Sequence, residues 1–355
     1  MNIYIYFIWL LFGRIFLSKI RNKRVILLLI VLPMFISLAT QVNIGTDYYA
    51  YRNSFLYPDP YEYEIGYILL NKILRIITLN PRILFVAVSF IQMFLFYRIL
   101  KKLNSKKIIK NSFLYVFCLC VASSLYYLMF NGLRSSIAIL LFNLSIFYFL
   151  SNRYKLAIFL ILIGSTFHKS IVIVILLILI LRKYLFKVYN KKKLIILATL
   201  LAILNRLQFI PRLAIFMYNI IPISFPYKDY LISEHMQQYR FVKGLGIATY
   251  LFILFYILSI FFYKKQKENI FLYNLGVLSI MMRLLFNNIP IFYRFIDYFS
   301  MMETIIIYNM IKETSKKKWA YLGLVISLFY LVTKVIGIQK IFIYNNEVMY
   351  KLYNK

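Results

Sequence analysis

The chain alternates long apolar runs with short polar loops. Apolar runs occupy 3–17, 25–42, 81–100, 112–129, 136–150, 154–167, 171–186, 194–210, 245–263, 270–286, 294–311 and 319–338. The hydrocarbon layer of a bilayer needs about 20 residues of helix at 1.5 Å each. The pattern therefore predicts an all-α polytopic membrane protein with about twelve spans, organised as one domain over 1–355.

The loops divide into two sets. One holds Lys19, Arg21, Lys23 and Arg24, then Lys101, Lys102, Lys106, Lys107 and Lys110, then Arg153 and Lys155, and three more basic clusters at 187–193, 264–267 and 312–318. The other is poor in lysine and carries Asp47, Asp59, Glu62 and Glu64. The positive-inside rule assigns the first set to the cytoplasm, so both termini are expected to face outward. Residues 1–17 lack a small-residue cleavage site and read as an uncleaved first span.

Two stretches depart from the ladder. Residues 65–79 are mostly apolar but include Lys72 and Arg75. Were they a span, Asp47 and the five-lysine loop would share a side, so they read as a re-entrant or interfacial helix at the outer face. Residues 211–243, with three prolines and His235, read as an outer loop with an amphipathic helix. The outer loops 43–80 and 211–243 are expected to cover part of a site facing outward.

Composition agrees with a membrane solvent. The chain is 63% hydrophobic with a mean hydropathy of +0.76, more apolar surface than a soluble core of 355 residues hides. The net charge of +32 suggests nucleic acid at first sight, but the cations sit in short loops between apolar runs. Anionic headgroups and an anionic lipid-linked substrate are the better partners, and nucleic-acid binding is not expected. Cys118 and Cys120 lie i,i+2 within one apolar run, and no Cys/His pattern implies zinc. No Walker A, dinucleotide or HExxH motif is present, and no cofactor or resident metal is expected, although the outer acids Asp47, Asp59, Glu62 and Glu64 leave a divalent cation open.

Four polar motifs fall on the outer side. In Gly45-Thr46-Asp47-Tyr48-Tyr49-Ala50-Tyr51-Arg52, the glycine permits a sharp turn and Thr46 or Asp47 can cap a helix. Asp47 can also take a proton from a sugar hydroxyl. In Asn131-Gly132-Leu133-Arg134, the arginine either snorkels to headgroups or donates in bidentate fashion to a phosphate. Phe167-His168-Lys169-Ser170 places an imidazole at a short outer turn. In Tyr293-Arg294-Phe295-Ile296-Asp297, Arg294 and Asp297 are i,i+3 and can pair locally, while Arg283 approaches the same surface. Glu303 sits deeper and needs a partner or a proton. Arg52, Arg134 and Arg294, gathered at one face, would make a pyrophosphate clamp.

These motifs, in this order over residues 1–311, resemble the EpsG family of bacterial exopolysaccharide polymerases, relatives of the Wzy O-antigen and capsule polymerases. Ile44-Gly45-Thr46-Asp47-Tyr48-Tyr49-Ala50-Tyr51 is similar to the family's first motif, Asn131-Gly132-Leu133-Arg134-Ser135-Ser136-Ile137-Ala138 to its second, Phe167-His168-Lys169-Ser170 to its third and Tyr293-Arg294 to its last. Ser135 stands where the pattern commonly has Gln.

The resemblance implies a GT-C-like architecture in the bacterial cytoplasmic membrane. The implied substrate is an oligosaccharide repeat unit on undecaprenyl pyrophosphate, and a flippase and a chain-length regulator are implied partners. The growing glycan would pass from its lipid pyrophosphate to the non-reducing end of a new unit, with inversion. Asp47, in preference to His168, would be the base. Arg52, Arg134, Arg294, Tyr48, Tyr51, Tyr293, Asn131 and Lys169 would hold substrate. A flippase for the same lipid-linked glycan, a glycan ligase and a membrane acyltransferase are the alternatives. Motifs crowded at one face argue against the flippase, and the arginines argue against the acyltransferase.

Overall fold

Helices start where an asparagine ends a basic loop. In the computed structural model, Asn22 accepts from the Arg24 N–H at 3.0 Å, Asn111 from that of Leu114 at 3.3 Å and Asn190 from that of Lys192 at 2.9 Å. Each carbonyl oxygen satisfies one of the N–H groups that a helix start leaves orphaned. They open α2 (Lys23–Ala39), α6 (Ser112–Ala122) and α11 (Lys191–Arg206).

The structure describes residues 3–17, 20, 22–45, 47–58, 63–123, 125–220, 247–262, 269–286 and 290–314, and no strand occurs among them. The chain falls into two compact units, with the division between Ile180 and Leu181.

In the first unit, α5 (Arg82–Ser105) lies between α2 and α8 (Leu133–Phe149), and α9 (Tyr154–Phe167) packs along α8. The short helix α7 (Leu125–Asn131) joins α6 to α8, and α1 (Ile3–Phe16) rests on α6. α8 is buried from Ser136 to Tyr148 without a polar face, which marks it as the centre of this unit. Gln92 of α5, fully buried, donates to Met129 O at 3.2 Å and Ser136 Oγ at 2.7 Å, fastening α5 to the α7–α8 turn. Outside this row lie α3 (Tyr48–Leu56) and α4 (Ile65–Ile77), the latter packed on α9 and α5.

The expected interfacial segment is thus a helix of 13 residues. One of its faces buries Tyr67, Asn71 and Leu74; another exposes Ile65, Leu69, Ile73 and Ile76. Further apolar rows are exposed along α9 (Ile158, Phe159, Leu162) and α10 (Ser170–Leu185; Ile173, Leu176, Ile180). Apolar surface on this scale is made to meet lipid or another protein.

Among the described residues, α5, with 24 residues, is the one helix long and apolar enough to cross a bilayer alone. The fourth expected span is broken: α6 and α7 pass as a span only together and bend by 66° between them. α8, α9 and α14 (Ile270–Phe286) are apolar but have 17, 14 and 17 residues. The expected eighth span ends at Arg206 and is followed by a separate helix, α12 (Phe209–Ile220). The twelfth span, His235 and most of the 211–243 loop lie outside the described residues.

In the second unit, α11, α13 (Ile247–Phe262), α14 and α16 (Ser300–Thr314) pack together, and α15 (Pro290–Ile296) leads through a short 3-10 turn into α16. Its core holds an ionic cluster. Glu303, fully buried, accepts from Tyr256 OH at 2.6 Å, Ser279 Oγ at 2.5 Å and Arg283 Nε at 3.1 Å. Asp297 is buried with its carboxylate 3.8 Å from Arg283 Nη2. The local Arg294–Asp297 pair expected from i,i+3 spacing is therefore replaced by an interhelical one, and Arg283 points inward instead of to the surface. The cause is burial: an aspartate enclosed at the start of α16 needs a cation enclosed with it.

Breaking such a buried pair costs about 3–5 kcal/mol, whereas replacing both partners with apolar residues can be neutral. Glu303→Ala is expected to lower the unfolding temperature sharply in a thermal scan of the detergent-purified protein. The double variant Arg283→Met, Glu303→Leu should recover much of that loss.

Candidate active site

Glu64 is the hinge of the site. It occupies the N-cap position of α4, with extended φ of −67° and ψ of 150°, yet its carboxylate does not cap that helix. It is held instead by two residues distant in sequence: Arg134 Nη1 pairs with Oε2, and His168 Nδ1 lies 3.2 Å from Oε1. The three side chains are 12%, 21% and 18% exposed, respectively, so they form a half-sunken cluster at the rim of the first unit.

The backbone explains how the three meet. Arg134 is the second residue of α8, after the Gly132 break. His168 ends α9, its own N–H bonded to Gly164 O, and turns the chain into α10. Gly66 brings α4 to them: a Cβ there would stand 2.8 Å from the Thr166 carbonyl oxygen, so only glycine lets the start of α4 touch the end of α9.

Three tyrosines wall the guanidinium. The Arg134 Cζ stands 4.5 Å from the Tyr63 ring centre and 5.9 Å from that of Tyr67. Tyr51 is buried, its hydroxyl hydrogen-bonds Arg134, and its ring lies 5.7 Å from Tyr67. Tyr67 OH and Ser54 Oγ are 3.0 Å apart, tying α3 to α4. Arg134 Nε is buried without a hydrogen-bond partner, an unmet donor beside the ion pair.

The first motif joins the second through Asn131. Its Oδ1 accepts from the Asp47 N–H at 2.9 Å. Gly45 has a φ of 86°, in the left-handed region that glycine tolerates, and a Cβ there would stand 2.6 Å from Asn131 Oδ1. Asp47 takes the N-cap position of α3 but makes no side-chain cap, contrary to the capping role the motif suggested.

Burial alone would raise the Glu64 pKa. The hydrogen bond from His168 and the charge of Arg134 outweigh it and bring the carboxyl from its ordinary 4.5 to about 2. Glu64 is thus ionised at neutral pH and can only accept hydrogen bonds. Burial pushes Tyr67 up to about 12 and raises Tyr51 as well, so both hydroxyls stay neutral donors.

A depressed carboxylate pKa stabilises the fold fully above the unfolded value and less as pH falls through the folded one. The difference in unfolding temperature between the parent and Glu64→Gln should therefore stay constant from pH 7 to about 5 and shrink between about pH 4.5 and 2 in a pH-stepped thermal scan.

The remaining expected residues are placed as follows. Tyr48 is buried and its ring stacks on Phe85 with centres 4.8 Å apart. Arg52 and Lys169 are exposed, and the charge of Arg52 acts on Tyr48. Arg294 is exposed on α15 in the second unit; the Tyr293 side chain, Asp59 and Glu62 lie outside the described residues. No group of three or more metal-binding side chains occurs among the described residues, and Glu64 is engaged by Arg134 and His168.

Sequence reasoning missed Glu64, Tyr63 and Tyr67 as site residues. The available signal was charge balance: two basic groups sunk at one face need an acid, and Glu64 was one of four acids in the outer loop 43–80.

Glu64, Arg134 and His168 thus gather at the junction of four helix ends in an all-helical protein. The EpsG family profile matches residues 2–352, nearly the whole chain, and the chain belongs to the EpsG family. Membership makes it a membrane-associated protein of exopolysaccharide synthesis, of the polymerase-like glycosyltransferase kind. No curated protein and no solved structure matches the chain.

Proposed function

We propose that this chain polymerises lipid-linked oligosaccharide repeat units at the outer face of the bacterial cytoplasmic membrane. The donor is a growing glycan on undecaprenyl pyrophosphate, and the acceptor is the non-reducing end of a new lipid-linked unit. The carrying observation is the Glu64 carboxylate that joins Arg134 and His168 from segments 70 and 104 residues away. The exposed apolar faces and the alternation of basic loops support about twelve spans with this cluster outward.

The chemistry follows from the tautomer. An ionised Glu64 accepts from Nδ1–H of a neutral His168, which leaves the Nε2 lone pair free. The acceptor hydroxyl gives its proton to Nε2 as its oxygen attacks the anomeric carbon. The bond from that carbon to the pyrophosphate oxygen breaks, and the electron pair leaves with the pyrophosphate. A direct displacement of this kind inverts the anomeric centre. Arg134, with Arg52 as a further cation, stabilises the growing charge. Glu64 orients the imidazole, a task suited to a carboxylate too acidic to be a base itself. This geometry favours His168 over Asp47 as base, and leaves Asp47 to order the Gly45–Asn131 turn.

His168→Ala, with membrane expression confirmed, should lower polymer by about 100-fold or more while single repeat units still reach the surface. Silver-stained or lectin-blotted glycan ladders read the result. Full-length polymer from this variant would remove His168 from the chemistry, and repeat units trapped inside the cell would point to a flippase.

A further inference from the structure

Behind the tyrosine wall, α3 and α4 line a cavity of about 220 Å³. Its lining includes Ser54, Tyr63, Tyr67, Asn71, Lys72 and Arg75. Tyr63 and Tyr67 are the rings that also pack on Arg134, so the cavity shares a wall with the candidate active site. Pockets for drug-sized ligands run to roughly 300–1,000 Å³, and this smaller volume suits about one sugar ring.

We propose that this cavity binds one acidic sugar, a pyranose bearing a carboxylate, of the repeat unit next to the reacting bond. The inference rests on the polymerase reading and adds to it the chemical class of a residue in the substrate. The part-exposed Tyr63 ring, backed by the buried Tyr67, offers an apolar face to the C–H face of a pyranose. Asn71 is 4% exposed and its Oδ1 has no hydrogen-bond partner, an acceptor that a sugar hydroxyl would satisfy. Lys72 and Arg75, i,i+3 on α4, line the same cavity and have no ion-pair partner among the described residues. They are the two cations in a helix of 13 residues whose adjoining face is apolar and exposed. Together the groups present a stacking wall, a buried acceptor and a pair of cations for an anionic substituent.

The test is saturation-transfer NMR on the full chain in phosphatidylcholine nanodiscs, with methyl glucuronide and methyl glucoside as probes. The glucuronide should bind with clear preference. Lys72→Gln with Arg75→Gln should weaken it by about tenfold or more, the scale of a lost charged hydrogen bond, and bring it level with the glucoside. Asn71→Leu should weaken both sugars. Equal binding of the two sugars, or indifference to these substitutions, overturns the proposal. Complete displacement of the glucuronide on moving to phosphatidylglycerol nanodiscs also overturns it, because the cations then serve a lipid headgroup. The polymer assay on His168→Ala separates the two readings. Lost polymer without glucuronide preference leaves the polymerase and removes the subsite. Glucuronide preference with intact polymer leaves the subsite and removes His168 from the polymerase mechanism.

Discussion

Glu64→Gln is expected to lower polymer output by about 100-fold or more, on the scale of losing a positioned acid–base group, although Glu64 touches neither the acceptor nor the pyrophosphate in the proposed mechanism. Glutamine has nearly the shape of glutamate, so the helices that meet at Gly66 and Thr166 have little reason to move. What changes is the hydrogen-bond sense. An ionised carboxylate accepts only and holds the proton on His168 Nδ1. An amide can donate to Nδ1 and so place the imidazole proton on Nε2, where it blocks the acceptor hydroxyl. Arg134 simultaneously loses its counter-charge. Glu64→Asp keeps the charge and should recover part of the activity, limited by a side chain one methylene too short to reach both partners. Glycan ladders from cells with matched membrane levels measure all three variants. Full-length ladders from Glu64→Gln would mean that the cluster only braces the fold.

Arg134→Lys is the second substitution with a large expected effect, because it conserves charge and discards geometry. The guanidinium uses one nitrogen on Glu64, bonds Tyr51, packs on Tyr63 and Tyr67, and keeps a buried Nε in reserve. A lysine ammonium offers a single point charge and no planar fork. Arg134→Lys should therefore lose most of the activity lost by Arg134→Ala, for which removal of an oxyanion donor suggests about 10²–10³-fold. Chain length and total polymer are the readouts. If the lysine variant keeps parental polymer, simple charge neutralisation suffices and the fork geometry has no part in the reaction.

The candidate site was legible in pieces. Gly45, Asp47, Asn131, Arg134 and His168 were each visible as polar residues interrupting apolar runs at one face, and two of the motifs do meet through the Asn131–Asp47 hydrogen bond. Tyr51 was visible in the same way and does contact Arg134. Tyr48, three residues earlier and on the same helix face, packs on Phe85 instead, a partner that spacing along the chain does not name. Arg52 was grouped with Arg134 from its side of the membrane alone, and it is exposed. The ionic cluster of the second unit had the same limit. Its members were identified in sequence, and their pairing was not, since Arg283 and Glu303 meet between helices.

Periodicity and chemistry along the chain were enough to determine an all-helical protein, a helix at 65–77 and membership of the EpsG family. Those properties depend on neighbours within about a helical turn, or on motif order, and both are written in the sequence. Which acid neutralises Arg134, which nitrogen of His168 is left free and which tyrosines wall the guanidinium were decided by the tertiary structure alone. Coulomb and hydrogen-bond energies depend on distance through space, and here Gly66 closes a gap of 104 residues between Glu64 and His168 to 3.2 Å.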